Sequence, residues 1–145
     1  MLPRERKTLK AENPIRVVVV DDHKLFADTL MLLLERDSRV AIVGSAADAS
    51  AGIDLAVEHE ADVVVMDVSM PGIDGLEATR RLRVVKPDVA VIILSGTADY
   101  ADAARAAGAA GYLTKGRVHD EVVDAIVSAA GHHADDLPDG DGLTG

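Results

Sequence analysis

The sequence predicts a three-layer α/β sandwich built on a five-stranded parallel sheet. Three observations predict it: five short apolar runs rich in β-branched residues, five intervening segments with helical character, and connections of only a few residues between them. Strands that read as continuous apolar runs rather than alternating ones are buried on both faces, as in parallel sheets covered by crossover helices. At 145 residues the chain has room for one domain with a single well-filled core.

Residues 1–14 mix Arg4, Arg6, Lys7 and Lys10 with Glu5 and Glu12, lack periodicity and end at Asn13-Pro14, the pattern of a flexible N-terminal arm. From Ile15, IRVVVV is the first strand and stops on Asp21-Asp22. Segment 23–35 sets Phe26, Leu30, Leu33 and Leu34 at spacings of three and four, a helix that Asp22 or His23 opens, while Met31 and Leu32 widen its apolar face. VAIVG at 40–44 is the second strand, and 48–59 is a helix in which Ile53, Ala56 and Val57 share a face. The third strand, 62–67, is DVVVMD; it ends on Asp67 ahead of a turn at Pro71-Gly72. Segment 76–85 is a helix stopped by Lys86-Pro87, because a residue preceding proline resists helical geometry. VAVIIL at 89–94 is the fourth strand and leads into Ser95-Gly96. The Ala-rich segment 98–107 is helical with Gly108 as its stop, AGYLT at 110–114 is the fifth strand, and 118–130 is a last helix with Val122, Ile126 and Ala129 on one face. Residues 131–145 contain four Gly, four Asp and one Pro, and read as a disordered acidic tail or the start of a linker.

Composition narrows the function. No cysteine is present, so disulfides, thiolate metal sites and a Cys nucleophile are excluded. The polar start lacks the apolar stretch of a signal peptide and no run reaches the length of a membrane span, which predicts a cytoplasmic protein without membrane contact. A net charge of -10 opposes direct nucleic-acid binding by this chain, since phosphate contacts need clustered Lys and Arg. Phe26, Tyr100 and Tyr112 are the only aromatics, too few for a base-stacking platform.

The C-terminal ends of parallel strands share one edge, where open α/β sheets place their ligands. Asp21-Asp22, Asp67, Ser95 and Lys115 all follow strands, so they converge there from distant positions. Read singly, Asp67 is a turn residue, Ser95 another, and Lys115 a salt-bridge partner. Read together, three carboxylates repel unless a cation joins them, and all-oxygen carboxylate ligands suit Mg²⁺ or Mn²⁺. An aspartate can serve as a nucleophile that forms an aspartyl phosphate, and phosphoryl transfer needs neutralised charge on the moving oxygens. Mg²⁺, the Lys115 ammonium and the Ser95 hydroxyl supply that set. His23 reads as a residue that caps or orients the first loop, Arg80, Arg81 and Arg83 as a solvated helix face, and His132-His133 as a pair with nothing to fix a metal geometry.

VVVVDDHKLF, VVVMDVSMPGIDGLEATRRLR, VIILSG and AAGYLTK together resemble the receiver domain of two-component response regulators, especially those preceding a LuxR/NarL-type DNA-binding domain. The resemblance spans 15–130, leaving 1–14 as the arm and 131–145 as the tail. It implies a flavodoxin-like fold with strand order 2-1-3-4-5. It implies that Asp67 accepts a phosphoryl group from a sensor histidine kinase or phosphotransfer protein. It further implies that Asp22, Asp67 and the Ser69 carbonyl bind Mg²⁺ directly, with Asp21 acting through water. Ser95 and Lys115 would contact the phosphoryl oxygens, and Ser95 and Tyr112 would form the conformational switch. The implied output is control of a partner or an attached DNA-binding domain. Homodimerisation would use either the face of the fourth helix, fifth strand and fifth helix or that of the first and fifth helices. Two departures stand out: a Ser95–Lys115 interval slightly shorter than the family pattern, and Lys115-Gly116 where many members have Lys-Pro. The competing enzyme reading is a Mg²⁺-dependent phosphohydrolase with Asp67 as nucleophile. Ser69 does not supply the second acid that an Asp-x-Asp phosphatase uses as general acid. A flavodoxin-like FMN binder lacks the aromatics to sandwich a flavin. The chain is therefore expected to catalyse its own phosphorylation and dephosphorylation without turning over an external substrate.

Overall fold

The computed structural model describes residues 13–135. Five strands, β1 (Ile15–Val20), β2 (Val40–Ala46), β3 (Val63–Asp67), β4 (Ala90–Ser95) and β5 (Gly111–Thr114), form one parallel sheet in the order β2-β1-β3-β4-β5. Helices α1 (Lys24–Glu35), α2 (Ala49–Glu58), α3 (Gly75–Val85), α4 (Ala101–Ala107) and α5 (Val118–Asp135) alternate with them, and a single 3₁₀ turn, Lys115–Arg117, joins β5 to α5.

Alternation along each strand divides the core in two. Val17, Val19, Val63, Val65, Ile92 and Leu94 face α1 and α5, packing on Leu30, Leu34, Val122 and Ile126. Their neighbours Val18, Val20, Val64, Met66, Val91 and Ile93 face α2, α3 and α4, packing on Ala56, Ala78, Leu82 and Ala104. Every residue of β3 and β4 is buried. At roughly 1.5–3 kcal/mol per buried aliphatic side chain, this double-sided burial is what makes unbroken valine and isoleucine runs form central strands.

Helix ends follow local chemistry. Asp48 and Asp74 are N-caps whose carboxylates accept from the Ala51 and Glu77 N–H groups. Lys86 leaves helical geometry ahead of Pro87 at φ -148°, ψ 70°. Gly108 ends α4 at φ 102°, a left-handed conformation that Cβ-bearing residues avoid.

Several boundaries differ from expectation. β2 continues to Ala46, beyond 40–44, because Val43 is an extra residue: Val17 pairs with Ile42 but Val18 with Gly44. The added length lets Ala46 O accept from the Asp21 N–H at 3.0 Å, which holds the end of β1 in place. α4 begins at Ala101 instead of 98, since Thr97 Oγ1 accepts from the Asp99 N–H and ties residues 97–100 into a turn. In α2 the buried face is Ala49, Gly52 and Ala56, and Val57 lies outside it at 44% exposure. α5 runs to Asp135, so helix replaces the first part of the tail expected from 131. The remainder of that tail and residues 1–12 of the arm lie outside the described residues, as do the side chains of His132 and His133.

The loop after β3 fixes the position of Asp67. The chain leaves the strand, donates from Val68 N to Leu94 O (2.8 Å) and returns so that Gly75 N donates to Val68 O (2.9 Å). A Cβ on Gly75 would lie 2.3 Å from Asp67 O and 2.9 Å from Val68 Cα, so only glycine lets α3 start this close to the strand end. Gly75→Ala is expected to lower the urea midpoint of unfolding by the equivalent of about 2 kcal/mol or more. Gly116→Ala, whose Cβ meets nothing within 4 Å, should stay within about 0.5 kcal/mol of the parent.

Candidate functional site

The C-terminal edge of the sheet collects the polar strand ends. Asp21 follows β1, Asp67 closes β3 and Ser95 closes β4, all three buried although polar. Lys115 follows β5 and reaches back across this edge. Its Nζ lies 2.9 Å from Asp21 Oδ2 and 3.3 Å from Asp67 Oδ2. One ammonium thus bridges two buried carboxylates from strands adjacent in the sheet. The face of the Phe26 ring lies 4.4 Å from the same Nζ, so Lys115 is held by a cation–π contact as well. Sequence spacing shows Phe26 only as part of the α1 apolar stripe; nothing along the chain marks it as a neighbour of residue 115.

The remaining groups complete the edge. Asp22 is part-exposed beside Asp21. Ser69 donates its backbone N–H to Asp67 Oδ1 at 3.3 Å, which places that peptide against the carboxylate. Ser95 Oγ accepts from the Thr97 N–H at 3.2 Å. The Tyr112 hydroxyl donates to Thr97 O and accepts from the Tyr100 N–H (3.3 Å), tying β5 to the β4–α4 loop. Ser95 and Tyr112 are thereby linked through one residue, Thr97. Asp67, Ser69, Ser95, Thr97 and Lys115 line an open groove of about 750 Å³ that His23 and Leu25 border.

His23 departs from expectation. It occupies the N-cap position of α1, but its side chain makes no capping bond. The imidazole turns toward the carboxylates instead, with Nδ1 3.1 Å from Asp21 Oδ1, 3.4 Å from Asp22 Oδ1 and 3.5 Å from Asp67 Oδ2. An N-cap histidine beside two aspartates is the only sequence signal for this. Arg80 and Arg81 pair with Glu77 on the α3 surface, while Arg83 donates to Val89 O.

A divalent cation fits the cluster. One side-chain ligand atom each from Asp21, Asp22, His23 and Asp67 lies within 4.8 Å of the others. Asp21 Oδ2 is fully buried yet has no hydrogen-bond donor, because Lys115 approaches it closely but off hydrogen-bonding geometry. A buried carboxylate oxygen left with charge compensation alone is a site a cation can satisfy. Burial pushes the Asp67 carboxyl above the usual carboxylate range and the negative charge of Asp21 adds to this, against the opposing pull of Lys115 and the Ser69 N–H.

A model of the response regulator receiver domain family matches residues 17–127. The chain belongs to this family. Curated relatives include the response regulator GacA of Pseudomonas aeruginosa, 42% identical over 77% of this chain and 53% of the relative. The response regulator UvrY of Escherichia coli is 41% identical over 79% of this chain and 53% of its own length. The chain spans about half the length of these relatives. Among solved structures, the signal receiver domain of the putative response regulator NarL from Mycobacterium tuberculosis aligns with a TM-score of 0.77 at 33% identity, covering 81% of this chain and 97% of that one. A LuxR-family response regulator from Aurantimonas sp. aligns with the same TM-score at 36% identity, covering 81% of this chain and 86% of that one. The protein is accordingly a two-component receiver domain related to LuxR/NarL-type regulators, and the family match favours this over the phosphohydrolase reading. Receiver domains interact with histidine kinases and phosphotransfer proteins, and generally bind Mg²⁺. No helix among the described residues is long and apolar enough to cross a membrane.

The raised Asp67 carboxyl has a stability consequence. Unfolded, the group titrates near 3.8; folded, it holds its proton to higher pH, so the folded state binds more protons between the two values. The associated stabilisation is complete below the unfolded value and is lost as pH rises through the folded one. At pH 7 the ionised Asp67 therefore costs stability. In EDTA, Asp67→Asn should raise thermal stability at pH 7 by about 1 kcal/mol, or roughly 3–5 °C, and the gain should shrink toward pH 4 by calorimetry.

Proposed function

We propose that this chain is a phosphorylation-dependent switch in which Asp67 accepts a phosphoryl group from a phosphohistidine of a sensor kinase or phosphotransfer protein. The observation that carries the proposal is the placement of Lys115 Nζ within 3.3 Å of both buried carboxylates, Asp21 and Asp67, beside Ser95. An Asp67 carboxylate oxygen attacks phosphorus, the phosphorus–nitrogen bond breaks, and its electron pair leaves with the imidazole. Mg²⁺, with Mn²⁺ as a substitute, would be held by Asp22, Asp67 and the Ser69 carbonyl, with Asp21 acting through water, and would supply neutralisation of phosphoryl charge. Lys115 shifts from its carboxylate partners onto a phosphoryl oxygen, and Ser95 donates its hydroxyl to another. Autocatalysis of this kind does not turn over an external substrate.

Ser95 is also the start of the output. Moving its hydroxyl onto the phosphoryl group takes Oγ from the Thr97 N–H, and the Thr97 carbonyl is the acceptor for Tyr112. The signal thus passes from Asp67 to the β4–α4 loop and β5, whose two arrangements phosphorylation reweights. We assign the output face to α4, β5 and α5, with a homodimer forming there or across α1 and α5. The domain limits proposed are an arm over 1–14 and the receiver over 15–130, with α5 continuing to Asp135 before an acidic tail or linker, and the output is control of a partner or of an attached DNA-binding domain. The receiver itself makes no nucleic-acid contact, in keeping with the -10 charge, and works in the cytoplasm.

Incubation with acetyl phosphate and Mg²⁺ should add one phosphoryl group by intact-mass spectrometry, absent from Asp67→Asn and from samples in EDTA. No adduct despite metal binding overturns the phosphoacceptor role, and multiple turnover of p-nitrophenyl phosphate would assign a phosphohydrolase instead. Tyr112→Phe should leave the adduct intact but accelerate hydrogen exchange at the Tyr100 amide roughly fivefold, the effect of one lost hydrogen bond of about 1 kcal/mol.

A further inference from the structure

We infer that Phe26 is a positioning residue for phosphoryl transfer, whose ring face holds the Lys115 ammonium in place while the carboxylates around that ammonium change partners. The inference rests on the reading of Asp67 as the phosphoacceptor. Lys115 Nζ lies 2.9 Å from Asp21 Oδ2, 3.3 Å from Asp67 Oδ2 and 4.4 Å from the centroid of the Phe26 ring. The reaction engages both carboxylates, Asp67 as nucleophile and Asp21 at the cation site. Of these three neighbours, the ring alone keeps its charge distribution through the transfer.

Lys115 needs such an anchor. Its long flexible stem loses rotamer freedom when the ammonium is held in one place. The next residue adds no constraint by packing, since a Cβ on Gly116 would meet nothing within 4 Å. Phe26, by contrast, is fixed from below. It sits in the first turn of α1, where the His23 carbonyl accepts from the Ala27 N–H at 2.9 Å, and it packs against the core layer that contains Leu30, Leu34 and Val122. The same ring lines the groove at Asp67, so core packing does not account for all of its surface. A rigid helix residue thus steadies a flexible one that follows β5.

An aromatic face suits this position better than another anion. The face carries negative potential without net charge, and an ammonium over it is attracted by the ring quadrupole. A third carboxylate here would also hold Lys115, but it would repel the incoming phosphoryl group and add to the repulsion between Asp21 and Asp67. The ring holds the cation and leaves the charge of the site unchanged. A preplaced ammonium needs no reorganisation when negative charge builds on the phosphoryl oxygens, which is how positioning enters the rate.

Phe26 is the only phenylalanine in the chain, so biosynthetic replacement of phenylalanine by its mono-, di- and trifluoro analogues alters this position alone. Ring fluorination drains the negative potential of the face while changing its size little. With acetyl phosphate and Mg²⁺, adduct formation followed by intact-mass spectrometry should slow stepwise along the series, by about fivefold at the trifluoro ring, with thermal stability unchanged. Phe26→Leu, which keeps an apolar side chain without a ring, should slow it by a similar factor. In the parent, the Lys115 ε-methylene protons should show a ring-current shift by nuclear magnetic resonance that Phe26→Leu abolishes. Rates indifferent to fluorine, or a parent spectrum without that shift, overturn the positioning role and leave Asp67 standing as acceptor. A rate loss that tracks a loss of thermal stability assigns Phe26 to packing and overturns it equally. A parent protein that takes up no phosphoryl group removes both this inference and the acceptor reading beneath it.

Discussion

Two carboxylates buried side by side are the constraint on which this structure turns. Asp21 and Asp67 end neighbouring strands, and neither is more than 3% exposed. Leaving them there costs desolvation and mutual repulsion, and the raised Asp67 carboxyl is the direct expression of that cost. Lys115 relieves part of it from the opposite side of the sheet centre. The relief is incomplete, as the undonated Asp21 oxygen shows. A site held short of charge balance attracts a cation and gains from a ligand that supplies further partners for Lys115. The instability and the chemistry are thus the same feature.

A parallel sheet is what allows such a cluster to exist. The carboxylates occupy the rim, where strands end, so the interior on both faces stays apolar and can support the strain of the edge. The glycine at 75 and the extended end of β2 set where Asp67 and Asp21 stop, through a close approach in one case and a backbone hydrogen bond in the other. Precision at the rim comes from backbone packing beneath it, while the loops above supply Ser69, Thr97 and the groove.

The most legible parts of the chain are those governed by local chemistry. Strand runs with no polar interruption, the pre-proline stop at Lys86, the glycine at 108 and the aspartate caps all act within a few residues of themselves. The rule that parallel strands end together is as simple, and it brings Asp21, Asp67, Ser95 and Lys115 to one edge from their positions along the chain. The misplaced boundaries have a different origin. The Val43 bulge exists only as a register between two strands, and the late start of α4 depends on a hydroxyl closing a turn against helix-prone alanines. Val57 is apolar and well spaced, but α2 makes its close approach to the sheet at Gly52, against Val20, and buries Ala49, Gly52 and Ala56 while Val57 stays outside.

By itself the sequence determined the sheet, its helices and the identity of the residues that meet at its edge, because periodicity and strand polarity are properties of contiguous segments. Tertiary structure alone decided the geometry of that meeting. Lys115 over Phe26, the imidazole of His23 turned onto three carboxylates, and the Tyr112 hydroxyl on Thr97 all join residues brought together by the orientation of separate elements. Side-chain direction across a loop depends on packing on both sides of the sheet, and no local pattern along the chain encodes it.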